Sequence, residues 1–151
     1  KSANKSPIIV VLDNIRSLNN IGSIFRTSDA FRIQKIYLCG ISAIPPHKDI
    51  QKTALGATES VAWEYVANTV DLVIRLKQEG FAVWSIEQAE QAIFLNDFQP
   101  EPKRTHAFVL GNEIKGVAQE VIDASDGVIE TPQEGAKHSL NIAVTASIGM
   151  I

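Results

Sequence analysis

The sequence predicts an α/β domain built on a mostly parallel sheet flanked by helices. Short β-branched or aromatic runs recur between turn residues, and segments with apolar residues at helical spacing alternate with them. Such alternation at these lengths points to βαβ units. The chain has 151 residues, 45% of them hydrophobic, which suits one compact domain over 1–151 with a sizeable core.

The elements follow in order. "PIIVVLD" (7–13) and "KIYLCG" (35–40) read as buried strands, and the stretch between them reads as a helix with Ile21, Ile24, Phe25 and Phe31 on its apolar face. "ISAIPPHKDIQKTALGATES" (41–60) is rich in Pro, Gly and polar residues, and so predicts a long irregular connection. "VAWEYV" (61–66) is a further strand. Thr69 is placed as the N-cap of a helix "VDLVIRLKQE" (70–79), with Val70, Val73, Ile74 and the Lys77 stem repeating at helical spacing and Gly80 ending it. "FAVWSIE" (81–87), "RTHAFVLG" (104–111) and "GVIET" (127–131) read as strands, "GVAQEVIDAS" (116–125) as a short helix, and "SLNIAVTASIGMI" (139–151) as a helix apolar on nearly every side.

Composition excludes several classes. No apolar run approaches the roughly 18 residues that span a bilayer, so a cytoplasmic protein without membrane contact is expected. The single cysteine, Cys39, excludes an internal disulfide and reads as a buried, inert thiol. His47, His106 and His138 show no metal-ligand spacing, so no metal is expected. A net charge of −3 does not advertise a polyanion partner, and any nucleic-acid site must be a local patch. The chain opens on Lys1 and stops within an apolar run, so further residues are expected at both ends.

Ligands of parallel sheets gather at the carboxyl ends of the strands. Three segments there collect glycine with Asn, Glu, Ser or Arg: "DNIRSLNNIGSIFRT" (13–27), "GNEIKG" (111–116) and "TPQEGAKHSLN" (131–141). In the first, Asn20, Ser23, Arg26 and Thr27 form a polar stripe opposite the apolar face, and Arg26 could simply pair with Asp29. In the second, Gly111 and Gly116 suit either close main-chain approach or plain turns, and Glu113 either serves function or complements the dipole of the following helix. In the third, Ser139 is a plausible N-cap, whereas Asn141 gains nothing in propensity from a helical first turn.

Together these segments resemble, in order and spacing, the three signature motifs of the SpoU/TrmH class of RNA ribose 2′-O-methyltransferases of the SPOUT superfamily. They are "NNIGSIFRTSDAFRI", "FVLGNEIKGV" and "PQEGAKHSLNIAV", with Asn20 and Arg26 six residues apart as in the class. The resemblance implies a C-terminal deep trefoil knot forming an S-adenosylmethionine pocket. It also implies a homodimer through the knot and the C-terminal helix. Arg26 matches the motif-one arginine proposed to engage the 2′-hydroxyl, either assisting its deprotonation or, as a guanidinium that stays protonated, orienting it and stabilising the oxyanion. By the same matching Asn20 and Glu113 position Arg26 and substrate, while Ser139 and Asn141 border donor and ribose.

The cofactor grip implied by the resemblance falls on Leu110, Gly111, Asn112, Gly116, Ile129, Pro132, Ser139, Leu140 and Asn141. Arg16, Arg26, Lys48, Lys52, Lys137 and His138 are candidates for RNA contact by charge and position. Members often read Ile-Pro-Met where this chain has Thr131, Pro132 and Gln133, which makes the cofactor slot more polar. "TALGATES" and "EQAE" tilt the expected substrate toward tRNA over ribosomal RNA. The alternatives are a non-catalytic RNA- or nucleotide-binding module of the same fold, and a methyltransferase with a non-RNA acceptor.

Overall fold

The computed structural model describes residues 5–87, 91–94, 97–101 and 103–130. Its strands are β1 (Ser6–Asp13), β2 (Ile33–Cys39), β3 (Trp63–Val66), β4 (Ala82–Ile86), β5 (Ile93–Phe94), β6 (His106–Leu110) and β7 (Gly127–Glu130). They form one sheet in the order β3-β2-β1-β6-β4-β7-β5, and every pairing is parallel. The helices are α1 (Leu18–Ala30), α2 (Lys48–Ala54), α3 (Thr69–Gln78) and α4 (Gln119–Ala124).

A parallel sheet covered on both faces needs strands that are apolar in both directions, which is what "IIVVL" supplies. Ile8, Val10 and Leu12 face the layer of α1 and α2, packing with Ile21, Ile24, Phe25 and Ile50. Ile9 and Val11 point the other way, into Leu72, Val73 and Leu76 of α3 and Val121 of α4. Cys39 lies in this second layer, where burial pushes its thiol up to about 12, so it is inert as expected.

Several sequence expectations change in detail. Phe31 is not on the apolar face of α1: the helix ends at Ala30, and Phe31 sits at its C-cap, 38% exposed. The connection after β2 is not wholly irregular, because it holds α2 and a 3₁₀ turn, Ala57–Glu59. Helix α2 fits because Gly22 of α1 has no side chain; a Cβ there would overlap the Ile50 carbonyl and Thr53 Oγ1. The Thr53 hydroxyl donates to the Asn19 carbonyl at 2.9 Å and fixes the crossing.

Asn68, not Thr69, caps α3, its side chain accepting from the Asp71 N–H at 3.0 Å. Thr69 turns inward and donates to Asp13 Oδ1 at 2.7 Å, giving that buried carboxylate a partner. The buried stripe of α3 is therefore Thr69, Leu72, Val73 and Leu76, leaving Ile74 45% exposed. Lys77 reaches across to the Ala124 carbonyl at 3.0 Å. The two-residue β5 was not legible from periodicity, and α4 starts only at Gln119, because Gly116 closes the preceding turn by its bridge to Asn112 and Ala118 is the N-cap.

Candidate active site

With every strand parallel, all carboxyl ends lie along one edge of the sheet. The chain leaves β1 through α1 toward β2, on one side, and leaves β6 through α4 toward β7, on the other. The neighbours β1 and β6 thus mark the point where strand order reverses, and their carboxyl ends carry the first two glycine-and-polar segments.

The segment after β1 is held at each residue. Asn14 takes a left-handed conformation (φ 59°), and its Oδ1 accepts from the Ile41 N–H at 3.0 Å. The Ser42 hydroxyl accepts from the Ile15 N–H at 2.9 Å and donates to the Leu12 carbonyl at 3.3 Å. Ser17 then caps α1, its Oγ accepting from the Asn20 N–H at 3.1 Å.

After β6 the chain folds into a closed turn. Asn112 and Gly116 exchange backbone hydrogen bonds of 3.0 and 2.9 Å, and Asn112 Oδ1 accepts from the Ile114 and Lys115 N–H groups at 2.9 and 3.0 Å. Gly116 has φ +74°, and a Cβ on Gly111 would overlap the main chain of Gly116 and Val117, so both glycines are required by the turn itself.

Two contacts join this turn to the first segment. Asn112 Nδ2 donates to the Asn14 carbonyl at 2.8 Å. Glu113 accepts from the Arg16 N–H at 3.2 Å and the Ser17 N–H at 3.0 Å. The dipole that Glu113 complements is therefore that of α1 and not, as one sequence alternative had it, that of the helix following it. Desolvation pushes the Glu113 carboxyl up, but the backbone N–H groups of Ser17, Glu113 and Arg16 and the Asn20 side chain outweigh it and hold the group below its ordinary value.

Asn20, Glu113, Arg16, Asn112 and Gly111 are thus brought together at this edge of the sheet. Arg26 stands exposed on α1, six residues beyond Asn20, and among the described residues no ion pair involves it, Asp29 included. Lys48 and Lys52 lie exposed on α2, with Lys52 3.4 Å from Asp49. Leu110 and Ile129 are the buried ends of β6 and β7, separated by β4. Pro132, Lys137, His138, Ser139, Leu140 and Asn141 lie outside the described residues, as do the Thr131 and Gln133 departures, the expected C-terminal helix and the knot.

Sequence reasoning missed Asp13, Asn14, Ser17 and Glu87, all of which hold this edge together. The dipeptide Asp13-Asn14 at the end of an apolar strand was the available signal, since neither residue belongs in a buried run. Among the described residues no group of three or more His, Cys, Asp or Glu could hold a metal ion, and no helix is long and apolar enough to cross a membrane.

The architecture and the motifs have relatives. A protein of Staphylococcus aureus (strain COL), assigned by name to TrmH family tRNA/rRNA methyltransferases, is 30% identical over 142 residues, covering 94% of this chain and 56% of that protein. The 23S rRNA (guanosine-2′-O-)-methyltransferase RlmB of Vibrio vulnificus (strain CMCP6) is 27% identical over 143 residues, covering 95% and 57%. The chain thus spans little more than half the length of these relatives. The AdoMet-bound rRNA methyltransferase structure from Sinorhizobium meliloti superposes with a TM-score of 0.77 at 26% identity, over 97% of this chain and 55% of that one. The family model described as SpoU rRNA Methylase family matches residues 7–151, and the chain belongs to that family.

Proposed function

We propose that this chain is the single SPOUT methyltransferase domain of an S-adenosylmethionine-dependent enzyme that methylates a ribose 2′-hydroxyl of RNA, with tRNA favoured over ribosomal RNA. The observation that carries the reading is the tie from Glu113 to Arg16 and Ser17. It fixes the start of the helix that bears Arg26 against the turn that holds Gly111 and Gly116. The V. vulnificus relative is named for guanosine 2′-O-methylation, and the S. meliloti structure contains AdoMet; both support the chemistry.

The residues fit such a cofactor. The turn packs its own main chain so tightly at Gly111 that no side chain fits there, and on this reading it is the backbone groups of the turn that would meet the cofactor. Leu110, Gly111, Asn112, Gly116 and Ile129 would hold the molecule, together with Pro132, Ser139, Leu140 and Asn141. S-adenosylmethionine supplies an electrophilic methyl group on a sulfonium.

This chain's residues do the rest. Arg26 donates to the 2′-oxygen and the neighbouring phosphate, orients them, and stabilises the negative charge that grows as the hydroxyl proton leaves to water. A guanidinium stays protonated in proteins, so Arg26 works here as a donor. Asn20 and Glu113 hold the first turn of α1 in register, and Arg16, Lys48, Lys52, Lys137 and His138 contact flanking phosphates. A homodimer through the knot and C-terminal helix completes the assembly, in the cytoplasm.

The test incubates the full-length protein and methyl-labelled S-adenosylmethionine with undermodified total tRNA and, separately, with ribosomal RNA. Each RNA is then digested to nucleosides. Label in a 2′-O-methylnucleoside from tRNA is expected. Label from ribosomal RNA alone would move the substrate. Label in neither, with cofactor bound, would replace the reading by a non-RNA acceptor or a non-catalytic module.

A further inference from the structure

Glu87 occupies a place that the motifs do not account for. It follows β4, the strand between β6 and β7, and so stands between the two strand ends assigned to the methyl donor. Its backbone N–H donates to the Ile129 carbonyl at 3.0 Å, and its Oε2 accepts from the Val117 N–H at 2.9 Å. The same oxygen lies against Gly116, where an added Cβ would overlap it. The next amide, that of Ala118, donates to Asp13 Oδ2 at 3.1 Å.

Asp13 ends β1 and Glu87 follows β4, the two strands that flank β6. Successive amides of the chain leaving the turn are therefore gripped from both sides of β6 by carboxylates. A backbone donor left without a partner away from water is costly, so these two acceptors hold the amides of Val117 and Ala118 in place. Glu87 and Asp13 thus fix where the closing limb of the turn runs, and Glu113 fixes its tip.

We propose that Glu87 is a positioning residue for methyl-donor binding: by holding the Val117 N–H and seating its carboxylate against Gly116, it keeps the main chain of Gly111–Gly116 in its binding conformation. The inference rests on the proposed function for the identity of the donor, and on the geometry alone for the hold on the turn.

The experiment compares full-length wild type, Glu87→Ala and Glu87→Gln. Amide hydrogen exchange is followed across 111–117 without cofactor, and S-adenosylmethionine affinity is measured by calorimetry. Glutamine keeps an acceptor oxygen of nearly the same shape, whereas alanine leaves the Val117 donor unmatched. Expected for Glu87→Ala are faster exchange confined to the turn and about a tenfold rise in Kd, with Glu87→Gln within about threefold of wild type. KM for the donor should rise while kcat moves little.

Unchanged exchange and affinity in Glu87→Ala would overturn the proposal. So would equal losses in both variants, or faster exchange spread evenly over the chain, which marks a purely structural role. A wild type that binds no S-adenosylmethionine would overturn the donor assignment together with the proposed function, while local exchange would still decide whether Glu87 holds the turn.

Discussion

The carboxylate of Glu113 receives the backbone N–H groups of Arg16 and Ser17, residues 97 and 96 positions earlier in the chain. It does for α1 what an acidic residue of its own first turn would otherwise do, since α1 has none. The turn after β6 and the start of the helix after β1 are therefore tied directly to each other.

Glu113→Ala should remove this tie. The loss of a cap-like acceptor at a helix start is expected to cost about 1 kcal/mol of stability and, through misplacement of Arg26, about tenfold in methyl transfer. Glu113→Gln should retain part of both. The carboxyl is held below its ordinary value, so its contribution is complete above about pH 4.5 and is lost as pH falls through the lowered value. Chemical denaturation of both variants and wild type between pH 3 and 6 checks this.

Arg26→Ala should lower methyl transfer by about a hundredfold or more while S-adenosylmethionine binding and stability stay within error of wild type. The side chain is exposed, so its removal opens no cavity. Arg26→Lys should not restore activity, because an ammonium lacks the planar fork. Full turnover in Arg26→Ala would assign the acceptor hydroxyl to another residue.

Gly111→Val should raise the Kd for S-adenosylmethionine at least about tenfold, because the added side chain collides with the main chain of Gly116 and Val117 and opens the turn. Calorimetry on the folded variant, verified by circular dichroism, reads the effect.

His106 is buried, and its Nδ1 accepts from Trp84 Nε1 at 3.0 Å, so the ring proton sits on Nε2 and points to the Glu101 carbonyl at 3.1 Å. Burial lowers its pKa below 6.5, because a charged ring would be desolvated and would set one N–H against another. The unfolded chain then binds more protons, so this stability is present above about pH 6.5 and fades as pH falls toward the lowered value. The Tm of wild type should drop between pH 7.5 and 5, and the drop should be shallower in His106→Gln.

How far the sequence speaks depends on whether the relevant physics is local. The strand of "IIVVL" and the helix of Ile21, Ile24 and Phe25 were legible because burial on one or two faces imposes a period. Phe31 and Ile74 were misplaced because a helix end and the exact buried stripe depend on what packs there. Thr69 looked like a cap, since nothing near it in sequence shows that Asp13, 56 residues away, needs its hydroxyl. For the same reason Glu87 passed as a strand end: its partner, Val117, is 30 residues on. The motif residues were found by likeness to a family, whereas the carboxylates that hold the motifs in place required the fold.

The most direct test of the central claim uses two acceptor RNAs that differ only at the modified nucleotide, one with a ribose 2′-hydroxyl there and one with 2′-deoxyribose. Transfer of labelled methyl from S-adenosylmethionine to the first and none to the second is expected. Equal transfer to both would place the methyl group on a base or elsewhere and contradict ribose methylation.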